Sequence, residues 1–323
     1  MYKLCVISYF KNERNHIVEW ILHNKKRGIE HIWLIDNGSN DNYDIKKFID
    51  SKYVTLYKEP NLGQVDSYNK YLPELKKHTE WLAVIDIDEY IYSKKKQDLK
   101  EIINEIEKIN DYLYKYKNSK ELVNQINIQG RLYYPGTFLS PKSVISSNIN
   151  FIQYDSLKCP KCIHKLSSID ELSIHGFSSG TEYICKYDSD FLCMNHYKFS
   201  SYEYLYGIKE YRGGGVSKKK YKRDLKLINN INNVKVVIDD YLKNDSKYII
   251  EYCNQNYVNC DTDLYEESTW NIIKHDHIDM FNKFKSYNNN NKLLNHNQIY
   301  EIDNFFYDKQ LYRVDTKKGL YPK

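Results

Sequence analysis

The chain has 323 residues, with 48 Lys and Arg against 43 Asp and Glu for a net charge of +5. That length suits a core domain and an appendage at roughly 100–200 residues per domain. The positive excess is too small and too scattered for a nucleic-acid surface, and no apolar run approaches the ~18 residues of a membrane span. Seven cysteines without framework spacing fit a reduced compartment, so a cytoplasmic protein is expected.

Lys3 to Phe10 reads as a strand. Asn12 is the expected N-cap of a helix whose Ile17, Trp20 and Ile21 share one face, with Gly28 as its stop. His31 to Asp36 is the next strand. The turn Asn37-Gly38-Ser39-Asn40-Asp41 is dense in residues that bond their own backbone, and Asp41 is placed to cap a short helix ending near Ile49. Tyr53 to Tyr57 forms a third strand, Gln64 to Lys77 a helix that Pro73 kinks or bounds, and Trp81 to Ile85 a fourth strand. This alternation predicts a parallel sheet with right-handed crossovers.

Gln97 to Glu121 reads as an exposed charged helix with Ile102, Ile103, Ile106 and Ile109 as its apolar stripe. Strands are expected over Gln125 to Leu132, Phe151 to Tyr154 and Tyr183 to Tyr197. From Ser200 the pattern is mostly helical. The division expected is a catalytic domain over 1–232 and a helical C-terminal extension over 233–323.

The chemistry concentrates in Trp81 to Tyr90, an apolar run ending in Asp86, Asp88 and Glu89. A buried parallel strand is continuously apolar, and open α/β sheets bind ligands beyond the carboxyl ends of their strands. Carboxylates this close repel unless a cation lies between them, and hard divalent ions take such oxygens. The plain alternative is a solvated acidic loop or a helix N-terminus. The first turn, Phe10 to Asn15, lacks the glycines a dinucleotide pyrophosphate needs, and no P-loop sequence occurs. Cys159-Pro160-Lys161-Cys162 has knuckle spacing, but no second pair completes a tetrahedral zinc set among His164, His175, Cys185 and Cys193.

Lys11-Asn12-Glu13, Glu19-Trp20, Asp36-Asn37-x-Ser39-x-Asp41, Gln64 and Trp81 to Glu89 together resemble the GT-A glycosyltransferases of the family-2-like and family 92 groups. The resemblance continues through Lys161-Cys162-Ile163, His175, Asn195-His196-Tyr197 and Lys209 with Arg212-Gly213. It implies a GT-A fold, a half-Rossmann, mainly parallel sheet flanked by helices. It also implies transfer of a sugar from a nucleotide diphosphate, most often UDP, to a hydroxyl of a glycan or glycoconjugate, assisted by Mn²⁺ or Mg²⁺.

By the same resemblance Asp88 binds the metal, with Asp86 on the ribose or a metal-bound water and His196 as a third ligand. Asp36 meets uracil or ribose in a pocket shaped by Asn12, Glu13 and Ser39, while Lys161 lies near the diphosphate. Gln64, His175 and Arg212 join the donor site, with Arg212-Gly213-Gly214-Gly215 as a lid. The chain departs from the family pattern at Gly130 to Thr137. The general base of an inverting reaction is sought among Glu171, Glu182, Asp188 and Asp190, with Glu182 preferred. The competing readings are a nucleotidyltransferase on a similar sheet and a non-catalytic module built on bound metal or zinc.

Overall fold

The structure is a computed structural model. It describes residues 1–118, 122–128, 130–133, 143–147, 150–152, 161–175, 184–186, 191–198, 200–201, 204, 236–238, 241–256, 312–315 and 319–322, with isolated positions between 279 and 298. In chain order the elements begin β1 (Tyr2–Phe10), α1 (Arg14–Lys26), β2 (His31–Asp36), α2 (Lys46–Asp50), β3 (Val54–Lys58), α3 (Gln64–His78), β4 (Thr79–Val84) and β5 (Glu89–Tyr92). They continue with α4 (Lys100–Lys117), β6 (Gln125–Ile128), β7 (Gly130–Tyr133), α5 (Val144–Ser147), β8 (Asn150–Ile152), β9 (Lys161–Lys165), β10 (Ile184–Lys186) and β11 (Cys193–His196). The last are β12 (Val236–Ile238), α6 (Lys243–Asn256), β13 (Tyr312–Asp315) and β14 (Gly319–Pro322).

The chain divides into two compact units, Met1–Arg131 with Ser156–His196, and Leu132–Asp155 with Tyr197–Lys323. The first holds a seven-stranded sheet ordered β10-β6-β9-β4-β1-β2-β3. Strands β4, β1, β2 and β3 run parallel, β9 lies antiparallel between β4 and β6, and β10 is parallel to β6. The sheet is therefore mainly parallel and flanked by helices, the class read from the sequence. On one face Cys5, Ile7, Trp33, Ile35, Leu82 and Val84 pack with Tyr68, Leu72 and Leu75 of α3. The alternate residues Leu4 and Val6 are buried as well, as continuous apolar strands covered on both faces require.

Register decides which side chains meet at the carboxyl edge. Phe10 pairs with Asp36 across β1 and β2, and Ile7 with Val84 across β1 and β4. The turns leaving β1, β2 and β4 consequently emerge side by side. Because β9 enters antiparallel with Cys162 opposite Val84, its first residue, Lys161, lies at that same edge. Separately, β5 pairs antiparallel with β11, placing His196 opposite Glu89.

In the second unit β8 pairs antiparallel with the end of β7 at Leu132 and Tyr133, and with β12. There α5 and α6 contribute buried Val144, Ile145 and Ile249. An antiparallel pair, β13 with β14, joins the helix in the C-terminal segment. The boundary expected near Asn232 falls on residues outside those described. Among the described residues no helix is long and apolar enough to cross a membrane.

Several local expectations change. Helix α1 is preceded by Glu13, not Asn12, at its N-cap; Asn12 instead adopts a left-handed φ of 53°. Gly28 ends α1 as expected, with φ 79°, and a Cβ there would fall 2.1 Å from an Asp98 carboxylate oxygen. Pro73 lies inside α3 without ending it. In α4, Ile102, Ile103 and Ile106 are buried but Ile109 is exposed. Strand β9 occupies the stretch whose cysteine spacing suggested a zinc knuckle. Cys162 is a buried thiol between the amides of Gln125 and Asn127, while Cys159 lies outside the described residues.

Candidate active site

The turns after β1 and β2 are tied together by polar side chains. Asn12 N–H donates to Ser39 Oγ at 3.0 Å, and Asn40 N–H returns a bond to Asn12 Oδ1 at 2.9 Å. Asp36 accepts from the Ser39 N–H at 2.7 Å and from the Tyr43 hydroxyl at 2.8 Å. Burial, together with the Asp36 carboxylate, raises the Tyr43 phenol above its ordinary range, so Tyr43 serves as a donor. Both Asp36 oxygens thus hold the turn in shape. Asp41 does not cap the following helix; its Oδ2 accepts the Arg14 N–H at 2.7 Å and caps the preceding one, α1. A carboxylate there also meets the positive end of the helix dipole. Glu13 is buried and pairs with His16 at 3.0 Å.

The second group surrounds the turn from β4 to β5. Lys161 Nζ lies 2.8 Å from Asp86 Oδ2 and 3.2 Å from Glu89 Oε2, and its side chain is 1% exposed against 32% for Asp86 and 2% for Glu89. Gln64 Nε2 donates to the other Asp86 oxygen at 3.0 Å and lies 3.0 Å from the hydroxyl of buried Tyr68. The Asp86 N–H donates to Glu89 Oε2 at 2.8 Å, closing the turn on itself. Burial opposes every charge in this group. Even so, the Lys161 ammonium holds Asp86 below its ordinary range, and the two acids raise Lys161. For Glu89 burial wins, and its carboxyl is pushed up.

Asp88 points elsewhere. Its Oδ1 lies 3.5 Å from His196 Nε2, while His196 Nδ1 lies 3.9 Å from Glu89 Oε1. Helix α1 fixes the β5 strand that carries this turn, since Trp20 Nε1 donates to the Glu89 carbonyl at 2.8 Å and His23 Nε2 lies 2.8 Å from the Ile91 carbonyl.

Asp88 and His196 fit a divalent ion in type and spacing. Ligands about 2.1 Å from one ion stand about 3.0–3.4 Å apart in octahedral or tetrahedral geometry, close to the 3.5 Å observed. Among the described residues no group of three His, Cys, Asp or Glu is arranged to hold a metal. Asp86 turns both oxygens toward Lys161 and Gln64.

The structure therefore brings Asn12, Asp36 and Ser39 together at one pair of turns, and Gln64, Asp86, Asp88, Lys161 and His196 together at another. His175 is exposed, with its carbonyl accepting from Ser173 Oγ. Glu182, Asp188, Asp190 and Arg212 lie outside the described residues. Sequence reasoning assigned no role to Tyr43, Tyr68 or Glu89. Tyr68 had a signal, standing four residues after Gln64 on the same helix face.

These features define an α/β protein with an acidic, lysine-stapled site at the carboxyl edge of a mainly parallel sheet. Residues 1–237 match glycosyltransferase family 92, and the chain belongs to that family. A family 92 protein of Oryza sativa subsp. japonica is 26% identical over 106 residues, covering 32% of this chain and 18% of that protein. One of Ricinus communis is 24% identical over 95 residues, covering 28% and 17%. The chain thus matches less than a fifth of either relative's length. Among solved structures, S. aureus TarS 1–349 in complex with UDP-GlcNAc is similar, with 14% identity, a TM-score of 0.38, and 99% of this chain and 96% of that chain covered.

Proposed function

We propose that this chain is a metal-dependent, inverting glycosyltransferase that moves a sugar from a nucleoside diphosphate donor, with UDP as the nucleotide, to a hydroxyl of a glycan or glycoconjugate. The observation that carries the reading is the Asp88–His196 pair, 3.5 Å apart, at the strand edge of a family 92 chain. Asp88 and His196 would hold Mn²⁺ or Mg²⁺. Such an ion supplies Lewis-acid neutralisation of the charge that grows on a departing diphosphate.

The remaining roles belong to the chain itself. Lys161, buried between Asp86 and Glu89, fixes the turn on which Asp88 stands beside His196. Its ammonium is spent on protein carboxylates, and its action on the diphosphate is through that positioning. Asn12, Ser39, Asp36 and Tyr43 hold the paired turns that form the nucleoside pocket, with Glu13 beneath them. Gln64 orients Asp86, and His175 and Arg212 complete the donor site. Glu182 is our assignment for the base that takes the acceptor hydroxyl proton. A cytoplasmic setting belongs to the same proposal and rests on the cysteine spacing.

Titration of UDP with and without Mn²⁺ tests the reading. Wild type should bind UDP more tightly with the ion, and Asp88→Asn, which keeps the shape and removes the charge, should bind equally with and without it. Metal-independent UDP binding by the wild type would refute the metal role. Preference for a nucleoside triphosphate over UDP would favour the nucleotidyltransferase.

A further inference from the structure

Helix α4 changes character halfway along. Its first half is integrated into the fold: Ile102, Ile103 and Ile106 are buried. Its acids are engaged, with Lys96 pairing Glu101 at 3.2 Å and Glu105 at 3.1 Å, and Lys3 pairing Glu107. The second half is held on one side by buried Asn110, which bonds the Val123 backbone, and is exposed on the other. Ile109 is 49% exposed, Tyr112 52%, Tyr114 63% and Tyr116 74%, and Tyr112 and Tyr116 lie ring to ring at 5.3 Å. Ile109, Tyr112 and Tyr116 follow i, i+3, i+7 spacing and so form one stripe.

Charge follows the same division. Lys108, Lys115 and Lys117 stand against Asp111 alone in this half, and among the described residues those lysines make no ion pair. At 100° per residue Lys108 and Lys115 flank the stripe on one side and Lys117 lies beyond the other. An apolar, aromatic stripe edged by lysines is the pattern of a helix that lies in a lipid headgroup layer. There tyrosines bury the ring and keep the hydroxyl wet, and lysines reach phosphates. A neutral glycan would have no use for the lysines.

We propose that the Lys108–Lys117 half of α4 is a docking surface for an anionic lipid bilayer, with Ile109, Tyr112 and Tyr116 entering the interface and Lys108, Lys115 and Lys117 meeting lipid phosphates. It would hold this part of the chain at a membrane surface.

The full chain is tested by co-sedimentation with vesicles of phosphatidylcholine, with and without phosphatidylglycerol. Wild type should sediment only with the anionic vesicles and be released by high salt. Lys115→Gln/Lys117→Gln and Tyr112→Ser/Tyr116→Ser should each reduce partitioning about tenfold or more. Both pairs are exposed, so urea unfolding should match wild type. Lys46→Gln/Lys47→Gln, with the same charge loss on exposed α2, should stay within about twofold of wild type on the same scale. Absence of wild-type binding, full binding by the tyrosine variant, or equal loss in the α2 variant would each overturn the proposal. So would a self-associated wild type that Tyr112→Ser/Tyr116→Ser makes monomeric without any vesicle binding.

Discussion

Replacing Lys161 by Met would remove the cation between Asp86 and Glu89 at nearly constant volume. Asp86, 32% exposed, can recover water, whereas Glu89, 2% exposed, cannot. Stranding one partner of a buried pair costs about 3–5 kcal/mol. The cost has a ceiling, because Glu89 can take up a proton instead of staying charged. At pH 7, protonating a carboxyl with an unfolded value of about 4.3 costs about 3.7 kcal/mol at 1.36 kcal/mol per unit.

We therefore expect Lys161→Met to lose about 2–3 kcal/mol at pH 7, below that ceiling because burial already pushes up the wild-type Glu89 carboxyl, read as a drop of about 1 M in the urea midpoint. Trp20, Trp33 and Trp81, all in the same unit, are the fluorescence probes. The sign with pH is fixed. In the variant the folded state holds a proton that the unfolded state releases above about pH 4.3, so the deficit shrinks as pH falls, to about half by pH 5.5. Adding Glu89→Gln should recover much of the loss. A deficit below about 1 kcal/mol at pH 7, or one that does not change with pH, would refute the account of Lys161 as a buried staple.

Other consequences are independent of that staple. His196→Ala should weaken UDP binding chiefly in the presence of Mn²⁺ with little change in unfolding; a loss of stability with metal-dependent affinity intact would assign the histidine to the core. His164 in β9 is held down to about 4 by burial. Its folded value lies below the unfolded one, so stability is complete above about pH 6.5 and lost toward pH 4, by about 3 kcal/mol. His164→Gln should flatten that part of the urea-midpoint profile. Asp41→Ala removes the cap on α1 and should cost about 1 kcal/mol in urea unfolding, with Asp41→Asn restoring most of it.

The first four strands were legible because buried parallel strands leave continuous apolar runs, and Leu4 to Ile7 and Trp81 to Ile85 are such runs. The α1 stop was legible because glycine is the usual residue in the left-handed conformation that follows a helix end. What failed was decided by tertiary structure. Asp41 stands between two helices in sequence, and only the Phe10–Asp36 register reveals that Arg14 is the backbone it reaches. The short strand beginning at Lys161 went unread beside a cysteine spacing that no second pair completed, and nothing local announces that a lysine will be buried. Ile109 continues the α4 stripe by period but not by contact, since the fold covers the side of the helix that carries its neighbour Asn110, which bonds Val123.

The acid motif was read as a demand for a cation, and two distinct cations can answer it. Lys161 answers for Asp86 and Glu89: it sits within 3.2 Å of both and is itself buried. Asp88 lies instead beside His196, with its Oδ1 3.5 Å from Nε2. On the proposed reading a divalent ion would stand at Asp88, which sharpens the expected order of severity. Asp88→Asn should act on metal-dependent binding directly, whereas Asp86→Asn should act through the Lys161 staple and shift stability together with affinity. Gln64, which also lies 3.0 Å from the Tyr68 hydroxyl, serves the same staple by donating to Asp86. A carboxylate that must keep a lysine in place gains from fixed donors on both oxygens, as Asp86 has in Gln64 and Lys161.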